Sequence, residues 1–180
     1  MKLILGKVLT LLVLTTMLLT GCGFKLRGDY NLPSEIKQLE LTAEQKNTPL
    51  FRILRKQLEG FNIEVFDSAQ KTNNPDYDID AKVYLKSDQL ERRLLSLFST
   101  GQVAEYELVY TVRYLIQLPD EDPQAIEFDI TREYQDDPDA VLAKSRELDL
   151  IQAEMRQDAA LRIISQLASS YTSWQQVNHP

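Results

Sequence analysis

Apolar and polar residues alternate over three short stretches in the first half of the chain. These are residues 36–42, 61–65 and 77–85, and the alternation is strictest in the last of them. Because successive side chains of a strand point to opposite faces of a sheet, a period of two predicts strands with one buried face. The sequence therefore predicts three strands in this half.

A longer alternating stretch covers residues 90–118 and predicts the outer part of a long hairpin that turns at residues 99–102. The returning arm carries Tyr106, Tyr110 and Tyr114 on one face. Tyrosines suit a covered sheet surface on which their hydroxyl groups find hydrogen-bond partners. We therefore expect this face of the hairpin strand to be the buried one.

Two stretches have the period of helices. The first follows residues 47–49 (Asn-Thr-Pro), an N-cap and a proline at the first helical position, and Gly60 is predicted to end it as a C-cap. The second follows residues 136–139 (Asp-Asp-Pro-Asp), where acidic side chains lie near the positive end of the helix dipole. Its apolar stripe continues to Trp174, and some 35 residues at about 1.5 Å each would reach about 50 Å, so a kink is compatible with the pattern.

A last alternating stretch, residues 126–130, completes an α+β pattern. The first two strands enclose a helix, which favours a parallel crossover, whereas the later strands have short links and should form an antiparallel meander. We predict two helices packed on one face of a mixed, mostly antiparallel four- to five-stranded sheet. The other face has no covering element, which is typical of a protein that works by contact.

The amino terminus has the pattern of an export signal. Lys2 and Lys7 lie at the start, and residues 8–19 are uncharged. About a dozen residues are too few for a membrane span, which needs roughly 20, and they suit the apolar segment of a signal peptide. We predict a signal peptide over residues 1–21, an arm over 22–35, one domain over 36–174 and a flexible tail over 175–180.

The end of this signal, Leu19-Thr20-Gly21-Cys22, resembles the lipobox of bacterial lipoproteins, in which the cysteine thiol receives a diacylglycerol and the signal is cut before it. Cys22 is the one cysteine of the chain and has no partner for an internal disulfide. The alternative is an ordinary signal peptide followed by a cysteine. The resemblance implies lipidation of Cys22 and, because Gly23 replaces the aspartate of inner-membrane lipoproteins, attachment to the outer membrane facing the periplasm.

Composition and motifs argue against nucleic-acid binding and against catalysis. The formal net charge is −7, and loss of Lys2 and Lys7 would make it more negative, whereas nucleic-acid binding needs a positive surface. The single histidine, His179, precedes the last residue, and zinc spacings, glycine-rich phosphate loops and Gly-x-Ser-x-Gly are missing from the sequence. The acidic groups at 120–122 and 136–139 fall in a predicted turn and at a helix start, not in apolar pockets. We predict no enzyme, no metal and no cofactor.

The basic residues are the more informative charges. Arg92 and Arg93 lie on the predicted outer hairpin beside leucines, and Lys144 lies in the first turns of the long helix. Isolated surface charges are the rule, so solvated positions are the simpler interpretation. Cations beside apolar side chains would also suit an amphiphile that carries phosphate groups.

Three motifs resemble the LPS-assembly lipoprotein family LptE. They are residues 21–27 (Gly-Cys-Gly-Phe-Lys-Leu-Arg), residues 101–106 (Gly-Gln-Val-Ala-Glu-Tyr) and the helix entry from Asp137-Pro138 to Leu142-Ala143-Lys144. Together with the order of elements, the resemblance extends over nearly the whole chain after the signal. It implies two helices on a four-stranded sheet and a non-catalytic plug of the outer-membrane barrel LptD, which the family helps to assemble.

The family resemblance also implies binding of lipopolysaccharide by basic residues near the hairpin turn and the start of the long helix. Lys144 matches the helix position. Ser99 stands where the family can carry an arginine, which leaves open whether Arg92 or Arg93 takes that role. The alternatives are a stand-alone lipoprotein that binds or carries an amphiphile and, third, a lipoprotein hydrolase.

Overall fold

The computed structural model of the protein describes residues 32–67, 78–137 and 139–178. The predicted signal peptide, Cys22, most of the arm, residues 68–77, Pro138 and His179 lie outside these residues. The described chain forms β1 (Gln38–Ala43), α1 (Pro49–Gly60), β2 (Glu64–Phe66), β3 (Ala81–Leu85), β4 (Gln89–Leu97), β5 (Val103–Gln117), β6 (Gln124–Gln135) and α2 (Val141–Asn178).

The strands form one mixed sheet in the order β2-β1-β3-β5, with β4 and β6 also paired to β5. β1 is parallel to β2 and to β3, whereas β5 is antiparallel to β3, β4 and β6. This confirms the predicted α+β class, the parallel crossover and the antiparallel meander.

The strand count is higher than predicted because β3 and β4 follow one another along the same edge of β5. β3 pairs with residues 114–117 of β5, and β4 pairs with residues 103–111. The two short strands therefore act as one interrupted neighbour of β5. The interruption, residues 86–88, is where the hairpin leaves the core of the domain.

Both helices pack on one face of the sheet, which we call the helix face, and the opposite face is called the open face. Alternate residues of the strands point to the helix face and are buried there, such as Leu39 and Leu41 of β1 and Val83 of β3. In β5 these are Leu108, Tyr110, Val112, Tyr114 and Ile116. The predicted buried face of the hairpin strand is thus confirmed for its inner half.

The end of α1 differs from the prediction. Thr48 caps the helix, its hydroxyl accepting from the Phe51 amide at 3.2 Å, and Pro49 is the first helical residue, as predicted. Gly60 is inside the helix, and the left-handed residue is Asn62, with φ of 61°. Asparagine is one of the few residues besides glycine that adopts this conformation readily, so it takes the role predicted for Gly60.

Two predicted strands begin later than their alternation suggested. The residue after α1, Phe61, ends the helix through hydrogen bonds from its amide to Gln57 and Leu58, so β2 starts only at Glu64. β3 starts at Ala81, because the Asp80 carboxylate accepts hydrogen bonds from two backbone amides of the β1 edge, each at 2.8 Å. The Asp80 amide also donates to the Gln38 carbonyl at 3.0 Å, so this residue joins the β1 edge through both its side chain and its backbone.

α2 is one continuous helix of 38 residues, about 57 Å long at 1.5 Å per residue. It runs through residues 175–178, so the predicted flexible tail was wrong for these positions. Trp174 packs on Tyr171 with ring centroids 5.4 Å apart, and Asn178 donates to the Trp174 carbonyl. These contacts hold the last turn in helical form.

The three predicted tyrosines differ in how their hydroxyl groups are satisfied. Tyr110 donates to the Asp88 carboxylate at 2.5 Å, in the interruption between β3 and β4. The Tyr114 hydroxyl is buried and has no hydrogen-bond partner among the described residues. Burial raises the pKa of Tyr114 to about 12. The expectation that each buried tyrosine finds a partner is therefore met at Tyr110 and not at Tyr114.

We expect Tyr114→Phe to raise the free energy of unfolding by about 1 kcal/mol at pH 7, because it removes a buried, unpaired hydroxyl. Above pH 10 the unfolded chain loses the tyrosine proton before the folded chain does, so wild-type stability falls as pH rises towards about 12. The stability of Tyr114→Phe should fall less than that of the wild type between pH 7 and pH 11. Urea unfolding at pH 7 and pH 11 measures both effects.

Tyr110→Phe is the matched control, since it breaks the bond to Asp88 and should lower stability at pH 7. A loss of stability at pH 7 in Tyr114→Phe would contradict the assignment of an unpaired hydroxyl.

Candidate ligand-binding site at the outer hairpin

The outer hairpin, formed by β4 and the facing half of β5, extends beyond the helix-covered core. Every residue of β4 is exposed or half-buried, whereas β5 is buried on one face from Leu108 onward. The first turns of α2 are also outside the core, since the first buried side chain of α2 is Met155, and they reach the strands through a hydrogen bond from the Tyr134 hydroxyl of β6 to the Lys144 carbonyl. The outer hairpin and the first turns of α2 therefore lie outside the core and beside each other.

Arg92 projects from β4 on the helix face and lies over Tyr106 of β5. In the β4–β5 register Arg92 is opposite Leu108 and Leu94 is opposite Tyr106. The Arg92 guanidinium carbon is 4.7 Å from the centroid of the Tyr106 ring. This distance is within the range of a cation–π contact.

Lys144 reaches the same face from the first turns of α2. Its ammonium nitrogen lies 5.6 Å from the centroid of the Tyr134 ring in β6. The Tyr134 hydroxyl donates to the backbone carbonyl of Lys144 at 2.9 Å. One tyrosine therefore contacts both the side chain and the backbone of Lys144.

The sheet register brings these two cation–ring pairs together. Tyr106 and Tyr134 are directly opposite each other in neighbouring strands. Burial raises the pKa of Tyr134, with a further contribution from Asp136, while Lys144 and Arg92 both act in the opposite direction. Both cations are therefore close enough to act on the same tyrosine.

Arg93 lies on the open face, away from the other two candidate cations. Its guanidinium forms ion pairs with Glu91 at 3.0 Å and with Glu107 at 3.7 Å. Successive side chains of a strand point to opposite faces of the sheet, so Arg92 and Arg93 lie on different faces. The structure thus brings together Arg92 and Lys144 of the three predicted cations and separates Arg93.

Sequence reasoning missed Tyr134. Its position in the alternation of β6 follows residues 126–130, so the period could have placed it on the helix face. Its partner across the strands, Tyr106, was predicted only as a covered tyrosine. The pairing of the two rings depends on the β5–β6 register, which no local pattern specifies.

Large, exposed apolar side chains lie along β4, its turn and the first residues of α2, on the same elements as the two cations. Leu94 is 55% exposed and Leu142 is 81% exposed. The others are Leu90, Leu95, Leu97, Phe98 and Val141. A bulge at Leu95 and the turn at Gly101, with φ of 84°, shape the tip. We call this surface, with Arg92, Lys144 and the two tyrosines, the hairpin site.

Lys144 has one anionic neighbour within the site. Its ammonium donates to the Glu147 carboxylate at 2.9 Å, and this hydrogen bond raises the pKa of Lys144. The side chain therefore remains cationic at neutral pH. For Arg92, the described residues provide an aromatic ring and no carboxylate partner. The site thus combines cations with exposed hydrocarbon, the chemistry that binds an anionic amphiphile.

The acidic groups have local roles. Asp120 lies in the turn after β5, with φ of 58°. Asp136 and Asp137 each accept a hydrogen bond from a nearby amide at 3.0 Å, just before α2. In the described ranges we find no cluster of metal-binding side chains and no helix apolar and long enough to cross a membrane.

The fold and the hairpin site define an α+β domain with an amphipathic contact surface. A solved structure with this fold is the rare lipoprotein B from Shewanella oneidensis, which is 39% identical, with a TM-score of 0.68, covering 77% of this chain and 99% of that one.

Residues 36–167 match the family described as LptE, lipopolysaccharide-assembly, and the chain belongs to this family. Two relatives named LPS-assembly lipoprotein LptE have similar sequences. That of Photorhabdus laumondii is 33% identical over 172 residues, 94% of this chain and 90% of its own length. That of Pectobacterium atrosepticum is 32% identical over 154 residues, 86% and 80% of the two chains. The predicted family is confirmed.

Proposed function

We propose that the protein is the lipid-anchored plug of the outer-membrane lipopolysaccharide translocon. In this role it is attached through Cys22, sits within the LptD barrel, assists assembly of that barrel, and binds lipopolysaccharide without catalysing a covalent reaction. Membership of a lipopolysaccharide-assembly family supports the general role. The observation that carries the binding role is the placement of Arg92 and Lys144 on one face, beside exposed leucines.

Lipopolysaccharide has phosphate groups next to acyl chains, and the hairpin site offers matching chemistry. Guanidinium and ammonium groups form short, charge-assisted hydrogen bonds with phosphate oxygens. Exposed leucines such as Leu90 and Leu94, which flank Arg92 on the same face of β4, would contact hydrocarbon, and each buried methylene contributes about 0.8 kcal/mol. The two types of contact lie side by side, which suits one amphiphile better than two separate ligands.

The open face supports the proposed partnership with a barrel. It carries a network of side-chain hydrogen bonds across neighbouring strands, including Arg113 with Glu127 at 2.8 Å and Thr111 with Asp129 at 2.6 Å. No helix or loop of the described chain covers this network. Polar groups already arranged on an uncovered sheet face suit contact with the hydrated inner wall of a β-barrel, which is polar.

We expect the tagged full-length protein, extracted from outer membranes in mild detergent, to co-purify with one large β-barrel chain in a one-to-one ratio. Mass spectrometry of the eluted chains and size-exclusion chromatography measure partner and size. Cys22→Ser is the control for the lipid anchor, since its product should not be lipidated at this position. Depletion that leaves barrel maturation and surface lipopolysaccharide unchanged would falsify the proposal.

The hairpin site also fits a second candidate, a stand-alone lipoprotein that binds or carries an amphiphile. The site is complete within this chain, so binding itself does not require a barrel. The same extraction separates the two functions. Recovery of the folded lipoprotein alone, near its own 20.7 kDa, would favour the stand-alone carrier.

A further inference from the structure

We propose that Tyr106 and Tyr134 are the positioning residues of the hairpin site. Tyr106 holds Arg92 and Tyr134 holds Lys144 on one face of the sheet, so that the site distinguishes phosphate-bearing amphiphiles from uncharged ones. This inference rests on the proposed binding of lipopolysaccharide and deepens it, because it assigns the selectivity to two uncharged side chains.

Arg92 and Arg93 differ in what their guanidinium groups contact. Both are in β4, but Arg93 is paired with two carboxylates, whereas Arg92 lies over the ring of Tyr106. A carboxylate would neutralise the guanidinium and compete with a phosphate group. An aromatic face holds the cation without neutralising it, and the in-plane N–H groups remain able to donate to a phosphate.

Tyr134 contacts Lys144 through both its hydroxyl and its ring. The Tyr134 hydroxyl fixes the Lys144 backbone at 2.9 Å, and the ring of the same residue lies below its ammonium group. Tyr134 is itself only 4% exposed, so it is held by the fold. Together with the hydrogen bond from the ammonium group to Glu147 at 2.9 Å, these contacts orient a long, flexible side chain before a ligand arrives, which lowers the entropy lost on binding.

The strand register sets the distance between the two tyrosines. Because Tyr106 and Tyr134 are opposite each other in adjacent strands, their separation is set by the sheet, at about 4.8 Å between strands. Each cation contacts one of these two tyrosines, although Arg92 is in β4 and Lys144 is in α2. Each charge lies near its own tyrosine ring, at 4.7 Å for Arg92 and 5.6 Å for Lys144, so the positions of the two tyrosines limit where the charges lie.

The test compares the full-length protein with its variants Tyr106→Leu and Tyr134→Leu, in mild detergent. The probes are purified lipopolysaccharide and the same lipopolysaccharide stripped of phosphate, and fluorescence anisotropy of labelled ligand measures their affinities. Each variant should bind the phosphorylated probe about fivefold more weakly. Affinity for the dephosphorylated probe should not change, which a merely structural role would not produce.

Two further variants complete the comparison. Tyr134→Phe keeps the ring and should recover part of the affinity that Tyr134→Leu loses. Tyr114→Phe, on the same face of β5 but away from both cations, should bind both probes as the wild type does. Tyr106 is half-buried, so Tyr106→Leu keeps the test usable if Tyr134→Leu fails to fold.

The outcomes separate this inference from the proposed function. A wild-type protein that binds neither probe, or both equally, would remove the proposed phosphate recognition. If the wild type prefers the phosphorylated probe and Lys144→Ala loses that preference, while the tyrosine variants keep it, the positioning role is overturned. An equal loss for both probes in the tyrosine variants would also overturn it.

Discussion

The variant Arg92→Glu with Lys144→Glu should bind lipopolysaccharide at least about 100-fold more weakly than the wild type. Each cation that bonds to a phosphate contributes about 1.5–3 kcal/mol, and every 1.4 kcal/mol is a tenfold change in affinity. Replacing both cations by carboxylates removes these bonds and adds repulsion. Titration of the detergent-extracted protein with labelled lipopolysaccharide measures the change.

Arg93→Glu is the control for this variant. It is matched to the Arg92→Glu half of the double variant, because it reverses one charge one residue away, but on the open face, among Glu91 and Glu107. Its affinity for lipopolysaccharide should stay within about twofold of the wild type, because exposed charges on the far face are screened. Equal losses in Arg92→Glu and Arg93→Glu would mean that net charge, not the hairpin site, governs binding.

Leu54→Ala should lower the free energy of unfolding by about 3 kcal/mol, because it removes a buried side chain from α1 and leaves a cavity. Leu54 is 0% exposed and belongs to the core between the helices and the sheet. Urea unfolding followed by circular dichroism measures the loss. A loss below about 1 kcal/mol would contradict tight packing of α1 in this core.

Leu142→Ala is the matched control. It deletes the same atoms from a leucine of α2 that is exposed, and surface substitutions of this kind change stability by about 0.5 kcal/mol or less. Its stability should therefore equal that of the wild type. The contrast between the two variants tests whether the start of α2 lies outside the core.

These two sets of variants address different parts of one domain. The buried residues of α1, the inner half of β5 and α2 after Met155 supply the stability, whereas the hairpin site lies beyond them. Because few of its side chains are buried, the hairpin site can present cations and leucines to a ligand at little cost to the fold. Variants of Arg92 and Lys144 should consequently remain folded, which makes their binding data interpretable.

Much of the fold could be predicted from local sequence. The two-residue period of the strands, the Thr48-Pro49 start of α1 and the acidic residues before α2 act through neighbours along the chain, and such local effects are visible in the sequence. The predictions failed where other interactions decided the ends of elements. Asn62 and the last turn of α2 act through neighbouring residues, whereas the Asp80 carboxylate accepts from the amides of Lys37 and Gln38, 43 and 42 residues earlier in the chain.

The sequence by itself determined the α+β class, the strand alternation and the three cations that are candidates for ligand binding. Only the tertiary structure decided which cations meet. Arg92 and Lys144 are far apart in the chain, and they share a face because β4, β5, β6 and the start of α2 lie side by side. Register between strands is a long-range property, so the ring pair of Tyr106 and Tyr134, on which both cations lie, could be found only in the folded chain.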